Sequence, residues 1–359
     1  MPTLPPTPAG LTPEYLTELL QADGCLPSAG QVVSLELTQV GEGTGMMAEL
    51  SRASLRYAGD QGQAPDSLIA KYASSNKTNR AAAQAFNLPE RETRYATELA
   101  PQTTTITPRT YCSLLDGDRF LLLMEDLSDY QVGSQAEGAT LKQTELAIDE
   151  LAKLHSAFWA KVDQLDWVPG IANSYHADVM LNGAKAGWDK MASLFNVPGH
   201  INQHKDRFLA AIPTLQAERM APPITLAHGD FRMENLLYGN QPSHHGVVVI
   251  DWQGPLKARG MFDVALFLGQ SAKTEVRRQH ETALLKRYLT GLQAGGVKDI
   301  TLPQLQEDYV RCMLYDWVYT AVVAGTLDTS NKKTFAWMSQ MVARQVAASD
   351  DLRVFDQLP

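Results

Sequence analysis

Cysteine is scarce, with Cys25, Cys112 and Cys312 the three in 359 residues. They are odd in number, far apart and without metal-ligand spacing, which argues against a disulfide framework and for a reducing compartment. Long hydrophobic runs are missing as well. No stretch approaches the ~18 consecutive apolar residues of a membrane-spanning helix, so no membrane partner is expected. The opening MPTLPPTPAGLTPEYL has neither a basic n-region nor an apolar h-region, so no secretory signal is read there. Positive charge is in deficit, 31 Lys and Arg against 40 Asp and Glu. A binder of phosphate backbones normally presents a basic face, so nucleic acid is not an expected partner. The composition is that of a soluble, acidic, cytoplasmic chain, long enough for about two domains.

What is present changes character along the chain. Residues 1–10 are rich in Pro and Thr. A helix over 12–22 follows, with Thr12 as N-cap, Pro13 as first helical residue, an apolar face of Tyr15, Leu16, Leu19 and Leu20, and Gly24 at its end. The runs VVSLELTQV, MMAELSRASLRY and DSLIAKY then read as strands. The turn Gly41-Glu42-Gly43-Thr44-Gly45 lies between the first two. Residues 79–100 read as helical with a break at Pro89, and TITPRTYCSLL and RFLLLMEDL as a hairpin joined by Asp116-Gly117-Asp118. Residues 129–140 are a polar crossover, and helices dominate beyond, including 141–160 and 161–225. The expected division is a β-rich part, 1–128, and a mainly helical part, 129–359.

The chemistry concentrates in His228-Gly229-Asp230-Phe231-Arg232-Met233-Glu234-Asn235, with Ile250-Asp251-Trp252 after the next hairpin. Phosphoryl transfer needs a carboxylate to orient and deprotonate the attacking hydroxyl, and oxygen ligands to hold magnesium on the nucleotide phosphates. Asp230, Asn235 and Asp251 can supply all three groups. His244-His245 sits in a hairpin turn, and with His228 and Asp230 it leaves a metal-dependent hydrolase as a competing reading.

These residues resemble the aminoglycoside phosphotransferase and choline kinase-like superfamily, and within it the ecdysteroid kinase-like branch of small-molecule kinases. The resemblance is tight over 228–265 and looser over about 30–325. It implies an α+β, bilobal protein-kinase-like fold, with an N-terminal antiparallel sheet and helix and a mainly helical C-terminal lobe. It implies ATP and Mg2+ as cofactors and a small-molecule alcohol as substrate. Asp230 would be the catalytic base, Asn235 and Asp251 the magnesium ligands, and His228 a structural member of the loop. Asp263, in Gly260-Met-Phe-Asp263-Val-Ala, would accept backbone N–H bonds from the catalytic loop. Lys71 would contact the α- and β-phosphates and Glu92 would pair with it, Glu49, Glu90 and Glu98 being alternatives. Backbone amides at Gly43 and Gly45 would approach the phosphates, and backbone groups from Glu125 to Leu127 the adenine. His155 matches the superfamily as a packing residue. For the acceptor the candidates are Arg232 in the loop and, on the helices beyond, Trp159, Trp188, Tyr309, Tyr315, Asp316, Trp317 and Tyr319, the run Tyr315-Asp-Trp-Val-Tyr319 being able to line a pocket for a cation or a flat apolar molecule. His-Gly-Asp in place of His-Arg-Asp, and the lack of an Ala-Pro-Glu segment, count against a protein substrate. The alternative is a catalytically silent nucleotide-binding module on the same fold.

Overall fold

The structure, a computed structural model, describes residues 3–5, 10–40 and 47–359. The chain forms two compact units. The first comprises Met1–Gln102, Thr107–Asp129 and Asp251–Gln253, and the second Thr103–Ile106, Tyr130–Ile250 and Gly254–Pro359. Two short segments therefore depart from the contiguous division expected at 128/129, each for a visible reason. Thr103–Ile106 is bonded to the second unit, Ile106 N–H donating to Glu150 (2.8 Å) and Val249 N–H to the Ile106 carbonyl (2.8 Å). Asp251–Gln253 is bonded to the first, where Trp252 stacks on Tyr95 with centroids 3.8 Å apart.

The first unit begins with α1 (Pro13–Asp23), whose N-terminus is satisfied by the Thr12 hydroxyl and whose end is a left-handed Gly24 at φ +86°. Strands β1 (Gln31–Val40), β2 (Ala48–Ala58) and β3 (Ser67–Ala73) are followed by helices α2 (Lys77–Ala85) and α3 (Leu88–Arg94) and the hairpin of β4 (Thr110–Asp116) and β5 (Arg119–Glu125). Among the described residues these strands form an antiparallel five-stranded sheet in the order β1-β2-β3-β5-β4. Alternation along β5 sorts its apolar run. Leu121 and Leu123 enter a core with Leu16, Leu19, Leu20 and Leu68, whereas Phe120 and Leu122 pack on the opposite face with Ala96. Lys71 is the cross-strand partner of Leu122 and shares its face.

The helical stretch expected over 79–100 breaks at Asn87 (φ +53°), two residues before Pro89. Proline sits in the first turn of α3, where its missing N–H costs nothing. The strand expected from residue 105 starts only at Thr110, because 103–106 is committed to the second unit.

In the second unit the helices are α4 (Leu141–Phe158), α5 (Tyr175–Leu194), α6 (Gly199–Asn202), α7 (Lys205–Arg219), α8 (Met261–Leu266), α9 (Thr274–Ala294), α10 (Leu302–Thr326) and α11 (Lys332–Leu352). Short strands accompany them: β6 (Gln131–Val132), β7 (Thr225–Ala227), β8 (Leu236–Tyr238), β9 (Val247–Val249) and β10 (Leu256–Ala258). Residues 161–174, read above as part of a helical stretch, form turns, and α5 starts only where Ser174 caps it. Helices α5 and α10 touch backbone to backbone, since a Cβ on Gly325 would lie 2.2 Å from the Gly187 carbonyl. Antiparallel pairs β7–β10 and β8–β9 frame the segment 228–235. Among the described residues no helix is long and apolar enough to cross a membrane.

Candidate active site

The first unit holds an ion cluster around Lys71. Its ammonium lies 2.6 Å from Glu92 Oε1 on α3 and 2.8 Å from Asp251 Oδ1. Lys71 and Glu92 are buried, and Asp251 is partly exposed. Burial alone would depress the Lys71 pKa, but the two carboxylates outweigh it and hold the pKa above the ordinary lysine range. Of the four glutamates considered above, Glu92 makes this pair. Glu90 and Glu98 instead bond Arg94, and Glu49 accepts from the Ser75 N–H. Asp251 has a left-handed backbone (φ +64°), and its Oδ2 accepts from Gln253 at 3.2 Å.

Gly43 and Gly45 lie outside the described residues. At the end of β5, Glu125 N–H donates to the Arg109 carbonyl (2.8 Å) and the Glu125 carboxylate accepts from Arg109 N–H (3.1 Å). That amide is therefore already used within the sheet edge, which removes it from the groups expected to meet adenine. Leu127 is buried two residues on.

The second unit holds the loop that follows β7. Gly229 requires glycine on two counts, a φ of +85° and a built Cβ only 2.1 Å from the Gly254 carbonyl. Asp263, fully buried near the start of α8, accepts the backbone N–H of His228 (2.7 Å) and of Gly229 (3.1 Å). It is held in turn by His155 Nε2 at 3.1 Å, while His155 Nδ1 lies 2.7 Å from the Tyr288 hydroxyl. His155 is thus a buried strut between α4, α8 and α9. His228 is also buried. Its Nε2 lies 3.1 Å from the Ile250 carbonyl and its Nδ1 accepts from Asp230 N–H (3.3 Å).

These struts present Asp230, whose carboxylate is about a quarter exposed. Asn235 Nδ2 donates to Asp230 Oδ2 (3.1 Å) and to the Asp230 carbonyl (2.8 Å). Arg232 Nε lies 3.2 Å from Oδ1 and 3.3 Å from Oδ2. The Tyr319 hydroxyl donates to Oδ1. Arg232 is anchored by Glu234 (2.8 Å) and lies 5.3 Å from the Trp337 ring centroid. Burial would lower the Arg232 pKa, yet Asp230 and its other neighbours keep the guanidinium charged. Gln135, buried, binds the same loop by accepting from Met233 N–H (3.2 Å), and its own N–H donates to Glu234 (3.0 Å).

Five acceptor candidates, Trp188, Tyr309, Tyr315, Asp316 and Trp317, are buried. Asp316 and Trp317 are fully buried in α10, Trp317 Nε1 donating to the Ser349 hydroxyl at 2.9 Å. Helical geometry explains the difference. Within the aromatic run Tyr315, Asp316 and Trp317 turn inward, and Tyr319 reaches the loop. Trp337 and Gln135 carried no local sequence signal at all.

Among the described residues no three His, Cys, Asp or Glu side chains are grouped to hold a metal ion. Asp251 in the first unit and Asn235 in the second each carry a side-chain oxygen, the donor type that magnesium takes.

The described fold is kinase-like. Over 92% of this chain and 86% of the other, it matches a Plasmodium vivax ethanolamine kinase at 16% identity and TM-score 0.53. It also matches the GDP complex of an aminoglycoside 2'-phosphotransferase-IIIa mutant, at 11% identity and TM-score 0.53 over 96% and 99% of the two chains. No curated protein matches the chain. The model of the ecdysteroid kinase-like family matches residues 42–300, and the chain belongs to that family, within a superfamily of small-molecule kinases.

Proposed function

We propose that the protein is an ATP- and magnesium-dependent phosphotransferase that moves the γ-phosphate of ATP to a hydroxyl group of a small molecule. The observation that carries this reading is the buried Lys71, held charged between Glu92 and Asp251. An ammonium fixed in this way is a ready partner for nucleotide phosphates, and family membership supplies the chemistry it would serve.

Asp230 accepts the proton of the attacking alcohol as its oxygen bonds to the γ-phosphorus and the bond to the β–γ bridging oxygen breaks, releasing ADP. Asn235 turns its amide N–H toward Asp230 and so offers its oxygen to a cation, while Asp251 offers Oδ2. Magnesium, when bound, would supply positive charge to the phosphate oxygens. His228, Gly229 and Asp263 act by positioning, since their bonds fix the loop backbone. Catalysis is then mainly orientation and charge stabilisation. On the acceptor side the reading rests on Arg232, with Tyr319 and Trp337 beside it.

Calorimetric titration with a non-hydrolysable ATP analogue, with and without magnesium, tests the nucleotide half. Binding that requires magnesium and is lost in Lys71→Met is expected. Binding by neither protein, or equal binding by both, would overturn it.

A further inference from the structure

We propose that Tyr319 is a guard on the base: its hydroxyl occupies the acceptor-hydroxyl position on Asp230 and keeps water from being phosphorylated until an alcohol displaces it. This rests on the phosphotransferase reading above and adds how the site discriminates an alcohol from water.

An ionised carboxylate has about four lone-pair positions on its two oxygens. On Asp230 the two oxygens carry different donors. Arg232 Nε straddles them, 3.2 Å from Oδ1 and 3.3 Å from Oδ2, and Asn235 Nδ2 donates to Oδ2 (3.1 Å), both donors coming from the same loop and both held by further bonds. Those contacts are built into the loop, and with Asn235 on Oδ2 the oxygen left to a nucleophile's proton is Oδ1. Oδ1 is the atom on which Tyr319 sits. Among the described residues Tyr319 is the one donor to this carboxylate from outside the loop, 89 positions away on α10. A phenol is an apt stand-in for an alcohol, since it presents the same O–H donor to the same oxygen. It is also an unreactive one. Burial and the negative charge of Asp230 raise the Tyr319 pKa well above its ordinary value, so the ring stays a neutral donor.

The guarded reaction is hydrolysis. A water oxygen would bond to the γ-phosphorus, its proton would pass to Asp230 Oδ1, and the bond to the bridging oxygen would break to give ADP and inorganic phosphate. An alcohol with additional contacts to the surrounding side chains can displace the phenol, whereas water, with one small molecule's worth of contact, displaces it poorly.

The test is phosphate release from MgATP in buffer free of alcohols. Tyr319→Phe keeps the ring and removes the hydroxyl. Its hydrolysis is expected to exceed wild type by roughly tenfold, the equilibrium weight of one hydrogen bond to a charged oxygen. Adding Asp230→Asn should return the rate to background, and affinity for the MgATP analogue should change less than twofold. Tyr319→Met, which fills the space without a donor, should behave like Tyr319→Phe and serves if that variant fails to fold. Intact analogue binding with no rise in hydrolysis would overturn the guard alone, as would a rise that survives Asp230→Asn. So would phosphotyrosine at 319 in wild type after incubation with MgATP, because the phenol would then be an acceptor. Wild-type protein that binds no MgATP analogue would overturn the proposed function, and the guard with it.

Discussion

Replacing Lys71 with Met removes the cation from a cluster in which one carboxylate is buried. Glu92 is then left in the sheet–helix interface with no opposite charge, while Asp251, a quarter exposed, is served by water. Breaking a buried ion pair by removing one partner costs about 3–5 kcal/mol, and the exposure of Asp251 places this case near the lower end, about 3 kcal/mol. At a few degrees per kcal/mol, the unfolding midpoint should fall by about 6–12 °C. The second substitution, Glu92→Leu in the Lys71→Met background, removes the stranded charge and should recover about 2 kcal/mol. The sign is what matters, since the double variant should be more stable than Lys71→Met. Thermal unfolding of wild type, both single variants and the double variant at pH 7 measures this. A double variant as unstable as Lys71→Met, or less stable, would refute the reasoning. The pH dependence has a definite sign as well. The Lys71 pKa is raised above its unfolded value, so the contribution of its ammonium is complete below about pH 10 and is lost only as pH rises through the folded pKa. The difference between wild type and Lys71→Met should therefore be constant from pH 7 to 9.

Asp263→Ala leaves the N–H groups of His228 and Gly229 without their acceptor. It should cost about 2–4 kcal/mol, read as a lower unfolding midpoint, and the calorimetric affinity of Asp263→Asn for MgATP should exceed that of Asp263→Ala. Gly229→Ala meets both the left-handed backbone and the Gly254 carbonyl, so it should lower the midpoint by several degrees, whereas Gly117→Ala, whose Cβ meets nothing within 4 Å, should do less. Asp316 is fully buried with both carboxylate oxygens lacking a hydrogen-bond partner among the described residues, and burial holds its pKa well above the usual carboxylate range. A raised folded pKa gives stability below the unfolded pKa that is lost as pH rises, so Asp316→Asn should gain on wild type between pH 4 and pH 8; parallel curves would contradict the assignment.

Local patterns carried much of the fold. The cap and glycine stop of α1, the two-residue hairpin turn and the alternation along the strands are short-range signals, and each is found where its residues are. Failures came where distant parts of the chain compete for a segment. Thr103–Ile106 has strand-like composition, but its hydrogen bonds go to Glu150 and Val249, more than forty positions away. The bonding within the 228–235 loop was the most legible part of the candidate site, because its groups lie within eight consecutive residues. The Asp230–Tyr319 bond was not, because it spans 89 positions and depends on which way a long buried helix is turned. That rotation also buries Asp316 and Trp317, which side-chain chemistry alone had made attractive as acceptor contacts. Gln135 and Trp337 show the same limit, since a glutamine in a polar segment acquires meaning only from the backbone groups it meets.

Transfer of phosphate from MgATP to an alcohol, followed by phosphorus NMR of the acceptor, bears most directly on the assignment. An amino alcohol, an aminoglycoside and a steroid alcohol form the panel, with wild type compared against Asp230→Asn. Wild type should form a phosphate monoester on one of them, and Asp230→Asn should form none while still binding MgATP. Equal turnover by the two proteins would contradict Asp230 as the base, and with it the chemistry assigned to the loop.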